Sequence, residues 1–211
     1  MAEKKKFSFE GWNNAPNIVT YIRIIMMFAF MYFAIAAGTF GLRNTAFRWV
    51  AGILFIIAAT TDKLDGYLAR KYNQVTDIGK LMDPIADKLL ILSAFFILSA
   101  FGEIWWWVTI LFAIREIGIT IMRFFVIDAG GRVIAASHAG KLKTLTQCIG
   151  LGMLTLPLWS VLPGNMNGLG WKIYYWAGVA IVLIALFFCL YSGAEYLVNT
   201  FGPRVQSKGD K

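Results

Sequence analysis

Along the chain, apolar residues gather into six long runs, at about residues 17–38, 46–69, 83–101, 104–125, 143–162 and 172–198. A helix needs ~20 consecutive, mostly apolar residues to cross a bilayer, so the pattern predicts six transmembrane helices. The separators carry turn chemistry: Gly38-Thr39-Phe40-Gly41, the polar stretch from Arg70 to Met82, Gly102-Glu103, Asp128-Ala129-Gly130-Gly131 and Pro163-Gly164-Asn165. No internal repeat or low-complexity segment interrupts this order. The expected organisation is a juxtamembrane segment (1–16), a six-helix membrane domain (17–200) and a tail (201–211).

Composition excludes the alternatives. Of 211 residues, 58% are hydrophobic and 15% charged, where a soluble domain carries about a quarter charged residues; the mean hydropathy is +0.63. Disorder is excluded by the same arithmetic. A disulfide scaffold is excluded because the two cysteines, Cys148 and Cys189, sit in apolar runs. The net charge of +8 bears on orientation, since lysine and arginine collect on the cytoplasmic side of a membrane. Lys4, Lys5 and Lys6, then Arg70, Lys71 and Lys80, then Arg132, Lys141 and Lys143, and finally Arg204, Lys208 and Lys211 fall on one side of an even-span topology, against Arg43, Arg48 and Lys172 on the other. Both termini are therefore expected in the cytoplasm. The basic tail runs into polar Trp12-Asn13-Asn14 rather than a cleavable apolar core. With Phe7, Phe9 and Trp12 it reads as a short amphipathic segment on an anionic leaflet, an ordinary disordered tail being the alternative. The fold class expected is thus an all-α integral membrane protein.

The acids are unevenly placed. Of twelve, five lie within 26 residues: Asp62, Asp65, Asp77, Asp83 and Asp87. Four of these sit in or at the ends of apolar runs, where a carboxylate costs ~2.5–3.5 kcal/mol at a helix centre and marks function by default. Asp62 and Asp65 are three apart and Asp83 and Asp87 four apart, so each pair shares a helix face. Consecutive antiparallel helices would bring both pairs together near the cytoplasmic surface. Four carboxylates there repel one another unless cations compensate. Oxygen-only coordination suits Mg²⁺ or Mn²⁺ rather than zinc, and two divalent cations balance four carboxylates. Gly66, Ala69 and Gly79 leave room for a bulky ligand, and Arg70 beside them points to a diphosphate. The plainer reading makes Asp83 an N-cap ahead of Pro84 and Gly66 a packing glycine, which leaves Asp65 and Asp87 unexplained.

Written out, Asp62-x2-Asp65-Gly66-x2-Ala69-Arg70-x8-Gly79-x3-Asp83-x3-Asp87 resembles the signature of the CDP-alcohol phosphotransferase family, with every signature position filled. The resemblance covers about Asn17 to Gln147. It implies an integral membrane enzyme, in a homodimer, that displaces CMP from a CDP-linked lipid with an alcohol. It also implies that Asp62, Asp65, Asp83 and Asp87 hold two divalent metals, with Asp87 also the general base. Gly66, Ala69 and Gly79 would make room for the nucleotide, and Arg70 would reach a phosphate. The lipid partner implied is CDP-diacylglycerol; nothing calls for nucleic acid.

A second polar set bears on the acceptor. Arg115, Glu116 and Arg123 lie inside the fourth run, and Ser137-His138-Ala139-Gly140-Lys141-Leu142-Lys143-Thr144 opens the fifth. Two arginines near two lysines form an anion trap suited to a phosphate. This Arg-Glu and Ala-Ser-x2-Gly-Lys-x-Lys-Thr pattern, and Pro16-Asn17-Ile-Val-Thr20-Tyr-Ile-Arg23, are similar to the bacterial branch whose acceptor is glycerol 3-phosphate. The resemblance implies acceptor-phosphate contacts from Arg115, Ser137, Lys141, Lys143 and Arg123, and places Asn17 and Thr20 on the nucleotide side, in a bacterial cytoplasmic membrane with the active site facing cytoplasm. Each residue has a plainer reading: Arg123 snorkelling, Arg115 pairing with Glu116, Lys141 and Lys143 setting topology, Asn17 and Thr20 capping and anchoring the first helix. His138 has no partner at ligand spacing. Alternatives within the family take inositol phosphate or make cardiolipin. Outside it, a cation transporter would place its aspartates near the midplane on broken helices, and the aspartate-rich prenyltransferases lack the Gly66/Ala69/Arg70/Gly79 frame.

Overall fold

The computed structural model describes residues 15–71, 77–128 and 138–201. Six α-helices follow one another: α1 (Ala15–Ala37), α2 (Thr45–Lys71), α3 (Asp77–Ala100), α4 (Trp106–Asp128), α5 (His138–Thr155) and α6 (Leu169–Phe201), with 3-10 turns at Thr39–Gly41, Leu158–Ser160 and Asn165–Asn167. Among the described residues there is no strand. The amphipathic N-terminal segment lies outside the described residues.

Two boundaries differ from expectation for local reasons. α3 begins at Asp77, so Asp83 and Pro84 lie inside the helix and Asp83 is not its N-cap. α5 starts at His138 and stops at Thr155, short of the expected 162. Pro157 lacks an N–H and restricts the residue before it, and the chain turns through Leu158–Ser160 instead. Gly140, Lys141 and Lys143 are consequently helical.

α1 packs on α2 and α3, α5 on α6, α2 and α3, and α4 on α3 and α6. The shared interior includes Phe30, Phe55, Phe95, Phe112, Leu151 and Val182, with Phe95 stacked on Phe112 at 4.4 Å between centroids. Gly150 lets α5 lie close against α6: a Cβ there would lie 2.7 Å from Val182 Cγ2 and 3.1 Å from Val182 N. The outside is apolar too. Ile25, Phe28, Ile114, Phe125 and Phe187 are all more than 60% exposed. Helices apolar all round suit a hydrocarbon solvent, and the windows Thr20–Ala37 and Leu169–Val198 are long and apolar enough to cross a membrane. Thr45–Thr61 and Lys88–Ala100 are shorter apolar stretches, cut by the charged positions that follow or precede them.

One end of the bundle is cross-tied. Arg48, 1% exposed, pairs through Nη2 with Glu103 Oε2 and donates to the Thr155 carbonyl through Nε at 2.9 Å and to the Leu154 carbonyl at 3.0 Å. The Phe40 N–H donates to Glu103 Oε1 at 2.6 Å, the Tyr175 hydroxyl to the Glu103 carbonyl at 2.8 Å, and Trp159 Nε1 to the Phe40 carbonyl at 2.8 Å. The connections after α1, α3 and α5 therefore meet at one end, which makes consecutive helices antiparallel. Burial pushes the Glu103 carboxyl up from its ordinary value, while the Arg48 guanidinium and the Phe40 N–H pull it down. Gly41, at φ 77°, turns the chain where a Cβ would sit 2.5 Å from Arg48 Cβ, a left-handed position that glycine fills without strain. Arg48 is thus a structural clamp, not a solvent-facing charge on the less basic side.

Candidate functional site

The signature positions divide between two touching helices. Asp62, Asp65, Gly66, Ala69 and Arg70 lie on the last turns of α2, and Gly79, Asp83 and Asp87 on the first turns of α3. Asp65 is six residues before the end of α2 and Asp83 six after the start of α3, about 9 Å along each axis at 1.5 Å per residue. Asp62 and Asp87 are nine and ten residues from those same ends, about 14–15 Å. In an antiparallel hairpin, Asp65 is therefore level with Asp83, and Asp62 with Asp87. The side chains of these eight positions lie outside the described residues, as do Ser137 and the side chains of Asn17 and Arg123. The donor chemistry fits divalent cations of the magnesium class: carboxylates only, with no histidine or cysteine between 62 and 87. Among the described residues no group of three or more His, Cys, Asp or Glu could hold a metal.

The second polar set is assembled by α4, α5 and α6 around Glu116, which the sequence offered as a pairing partner of Arg115. Lys143 Nζ, 7% exposed, pairs with Glu116 Oε1, 8% exposed. Arg115 Nη1 lies 3.6 Å from Glu116 Oε2. The same guanidinium donates through Nε to the Cys189 carbonyl at 3.1 Å and through Nη2 to Ser192 Oγ at 2.6 Å, so Arg115 is anchored on α6. One turn along α4, Thr120 donates to the Glu116 carbonyl at 2.6 Å and receives Lys88 Nζ from α3. Lys141 stands apart: it is exposed while Lys143 is buried, because residues two apart point to different sides of a helix. Gln147, a turn beyond Lys143 on the same face, is 2% exposed, and its Nε2 has no hydrogen-bond partner. Thr20 on α1 is buried. Ser192 carries no signal in a single sequence, and Gln147 closes the polar run Lys143-Thr144-Leu145-Thr146-Gln147 without a spacing that singles it out.

Two apolar grooves flank these sets. One of about 330 Å³ lies between α2 and α5, with Ala59, Thr60, Leu145, Cys148 and Gly152 in its walls, and Thr60 is two residues from Asp62. The other, about 490 Å³, lies between α4 and α6 beside Arg115, Gly118 and Gly193.

Residues 13–191 match the family described as CDP-alcohol phosphatidyltransferase. The chain is 39% identical over 186 residues to a Mycobacterium tuberculosis protein named "Probable phosphatidylglycerophosphate synthase", covering 88% of this chain and 81% of that one. It is 37% identical over 190 residues to a Bacillus subtilis protein named CDP-diacylglycerol–glycerol-3-phosphate 3-phosphatidyltransferase. An Escherichia coli protein of the same name is 35% identical over 188 residues; in both cases 87% of this chain and 93% of the relative are covered. A match of this extent, over helices that carry every position of the aspartate signature, means that the chain belongs to the CDP-alcohol phosphatidyltransferase family.

Proposed function

We propose that this protein transfers the phosphatidyl group of CDP-diacylglycerol to sn-glycerol 3-phosphate, giving phosphatidylglycerophosphate and CMP. The observation that carries the reading is the near full-length match to relatives whose names state this reaction, joined to a complete aspartate signature on the facing ends of α2 and α3. The family uses divalent metal ions, and the four carboxylate positions are suited to hold two, Mg²⁺ or Mn²⁺. Ions held there by Asp62, Asp65, Asp83 and Asp87 would supply charge neutralisation at the attacking and leaving oxygens.

The chain's own residues do the remaining work. Asp87 takes the proton of an acceptor hydroxyl as its oxygen bonds to the β-phosphorus; the bond from that phosphorus to the bridging oxygen breaks, and CMP leaves. Positioning and electrostatics supply most of the acceleration in such a transfer. Asp62, Asp65 and Asp83 complete the carboxylate set. Gly66, Ala69 and Gly79 make room for the nucleotide with Asn17 and Thr20 beside it, and Arg70 meets a phosphate. Lys143, Lys141, Arg115 and Arg123 supply the cationic side that receives the acceptor phosphate, and the Ser137 hydroxyl a hydrogen-bond donor to it. The apolar groove beside Thr60 suits a lipid tail, which keeps the acyl chains in the bilayer while the head group meets the aspartates.

The topology belongs to the same proposal: six spans, both termini and the aspartate ends in the cytoplasm of a bacterial cell, in a homodimer. The basic excess of the connections at that end supports it.

The test uses purified protein in detergent with CDP-diacylglycerol, Mg²⁺ or Mn²⁺, and each acceptor in turn. Glycerol 3-phosphate should release CMP at least tenfold faster than serine, inositol 3-phosphate or phosphatidylglycerol. Equal rates would remove the acceptor assignment.

A further inference from the structure

We propose that Gln147 forms the floor of the acceptor site, its amide N–H donating to the phosphate of the acceptor, and that Glu116 is the positioning residue that holds Lys143 over it. The inference rests on the proposed reaction and adds the direction in which the acceptor lies: phosphate end inward, hydroxyl end toward the level of Asp87.

Three observations converge. First, Gln147 Nε2 is buried with no partner. A buried donor left unsatisfied carries the whole desolvation cost of the group, so such donors in folded proteins call for an explanation such as a ligand. Second, Lys143 lies one turn away on the same face of α5, and with Arg115 it flanks Glu116. Two cations and one carboxylate leave one positive charge in excess in the interior among these three side chains, and a buried charge of that kind is expensive unless an anion completes it. A phosphate supplies both the charge and acceptor oxygens for the amide. Third, order along the helices fixes direction. α3 runs from Asp77 toward the cross-tied end, and Lys88 reaches Thr120, which is one turn nearer the α4 C-terminus than Glu116. Asp87 precedes Lys88, while Gln147 follows Lys143 toward the cross-tied end. The Asp87 position and Gln147 therefore lie on opposite sides of the Glu116–Lys143 level. An acceptor that bridges them puts its phosphate between Lys143 and Gln147, and its free hydroxyl on the side of the aspartates.

Glu116 then has a specific part. Its carboxylate takes one side of the Lys143 ammonium and leaves the other donors of that group for the phosphate, while Arg115, anchored on α6 by Ser192 and the Cys189 carbonyl, keeps the carboxylate in place.

The experiment measures CMP release by the full-length protein while each substrate is varied, for wild type, Gln147→Leu, Gln147→Met and Glu116→Gln, with Glu116→Asp as the conservative variant. Loss of a hydrogen bond to a charged group predicts a KM for glycerol 3-phosphate raised about tenfold or more in both Gln147 variants, with the KM for CDP-diacylglycerol within about twofold. Glu116→Gln should raise the same KM and Glu116→Asp restore most of it. In the wild type, inorganic phosphate should compete with glycerol 3-phosphate and not with CDP-diacylglycerol. An unchanged acceptor KM in the Gln147 variants overturns the inference, as does non-competitive inhibition by phosphate if neither variant folds. If the wild type does not use glycerol 3-phosphate at all, the proposed reaction fails first, and the two failures are told apart by that control.

Discussion

Glu103→Gln removes the charge that neutralises Arg48 while keeping the size of the side chain. The guanidinium then keeps its bonds to the Thr155 and Leu154 carbonyls but carries an unpaired positive charge at a site 1% exposed. Breaking a buried ion pair from one side costs about 3–5 kcal/mol. For a protein of this length each kcal/mol corresponds to a shift of about 2–4 °C, so the inactivation temperature should fall by roughly 6–20 °C. The double variant Arg48→Met/Glu103→Met removes both charges and should recover most of the loss, because apolar residues of similar volume often replace a buried pair at little cost. The assay is the fraction of protein that stays monodisperse in detergent after heating in steps, with CMP release measured on unheated samples. Arg48 is fourteen residues before Asp62 on α2, about 21 Å along the helix. The KM values should therefore stay at wild-type levels while stability drops. A fall of less than about 2 °C in the single variant, or a double variant no more stable than the single, would refute the clamp.

Gly150→Ala puts a methyl 2.7 Å from Val182 Cγ2 and 3.1 Å from backbone, which should cost about 1–3 kcal/mol in the same heating assay, whereas Gly118→Ala meets nothing within 4 Å and should be neutral or stabilising by up to about 1 kcal/mol; equal behaviour would contradict the α5–α6 packing. Asp87→Asn should abolish CMP release in a protein that still inserts and elutes as wild type, and full activity would remove its role as base. Lys141→Ala, at an exposed position with no place in the Glu116 network, should raise the acceptor KM with little change in heat stability. Lys143→Met should raise the acceptor KM and lower the heat stability as well, since it leaves Glu116 with Arg115 alone at 3.6 Å.

The helices were legible because a long helix is a long-window property: a run of about twenty apolar residues outweighs local irregularities, and each of the six runs overlaps one of the six α-helices. The ends were less legible. Pro84 after Asp83 carries the local signal of a helix start, yet Asp77–Met82 is already helical, and the helix accommodates the proline at the cost of the one backbone hydrogen bond its missing N–H cannot make. The aspartate positions stood out because acids are scarce in an apolar chain. The partners of Arg48 and Lys143, and the hold of α6 on Arg115, were not legible for the opposite reason. Arg48 and Glu103 are 55 residues apart, Lys143 and Glu116 27 apart, and Arg115 and Ser192 77 apart, so no helical spacing links them. From sequence, Arg48 therefore reads as a topology charge and Lys143 as the twin of Lys141, whereas burial separates each from that class.

These pairings sharpen what the remaining charges mean. In an apolar bundle the protein can keep an ionised side chain only beside an opposite charge or a ligand. Arg48 and Glu103 cancel each other and ask for nothing, which is consistent with a place at the end away from the aspartates. Among Lys143, Arg115 and Glu116 the sum is one positive charge too many, and Gln147 adds a donor without a partner. At the hairpin the four aspartate positions sum to four negative charges, which two divalent cations balance. A phosphorylated acceptor fits the first remainder and a metal-held diphosphate the second. On this reading the substrate charges are written in the side chains as their complement. An acceptor without a phosphate, such as serine, would leave the cations around Glu116 in excess and the Gln147 amide unsatisfied, and the expected loss falls on acceptor binding rather than on the displacement of CMP.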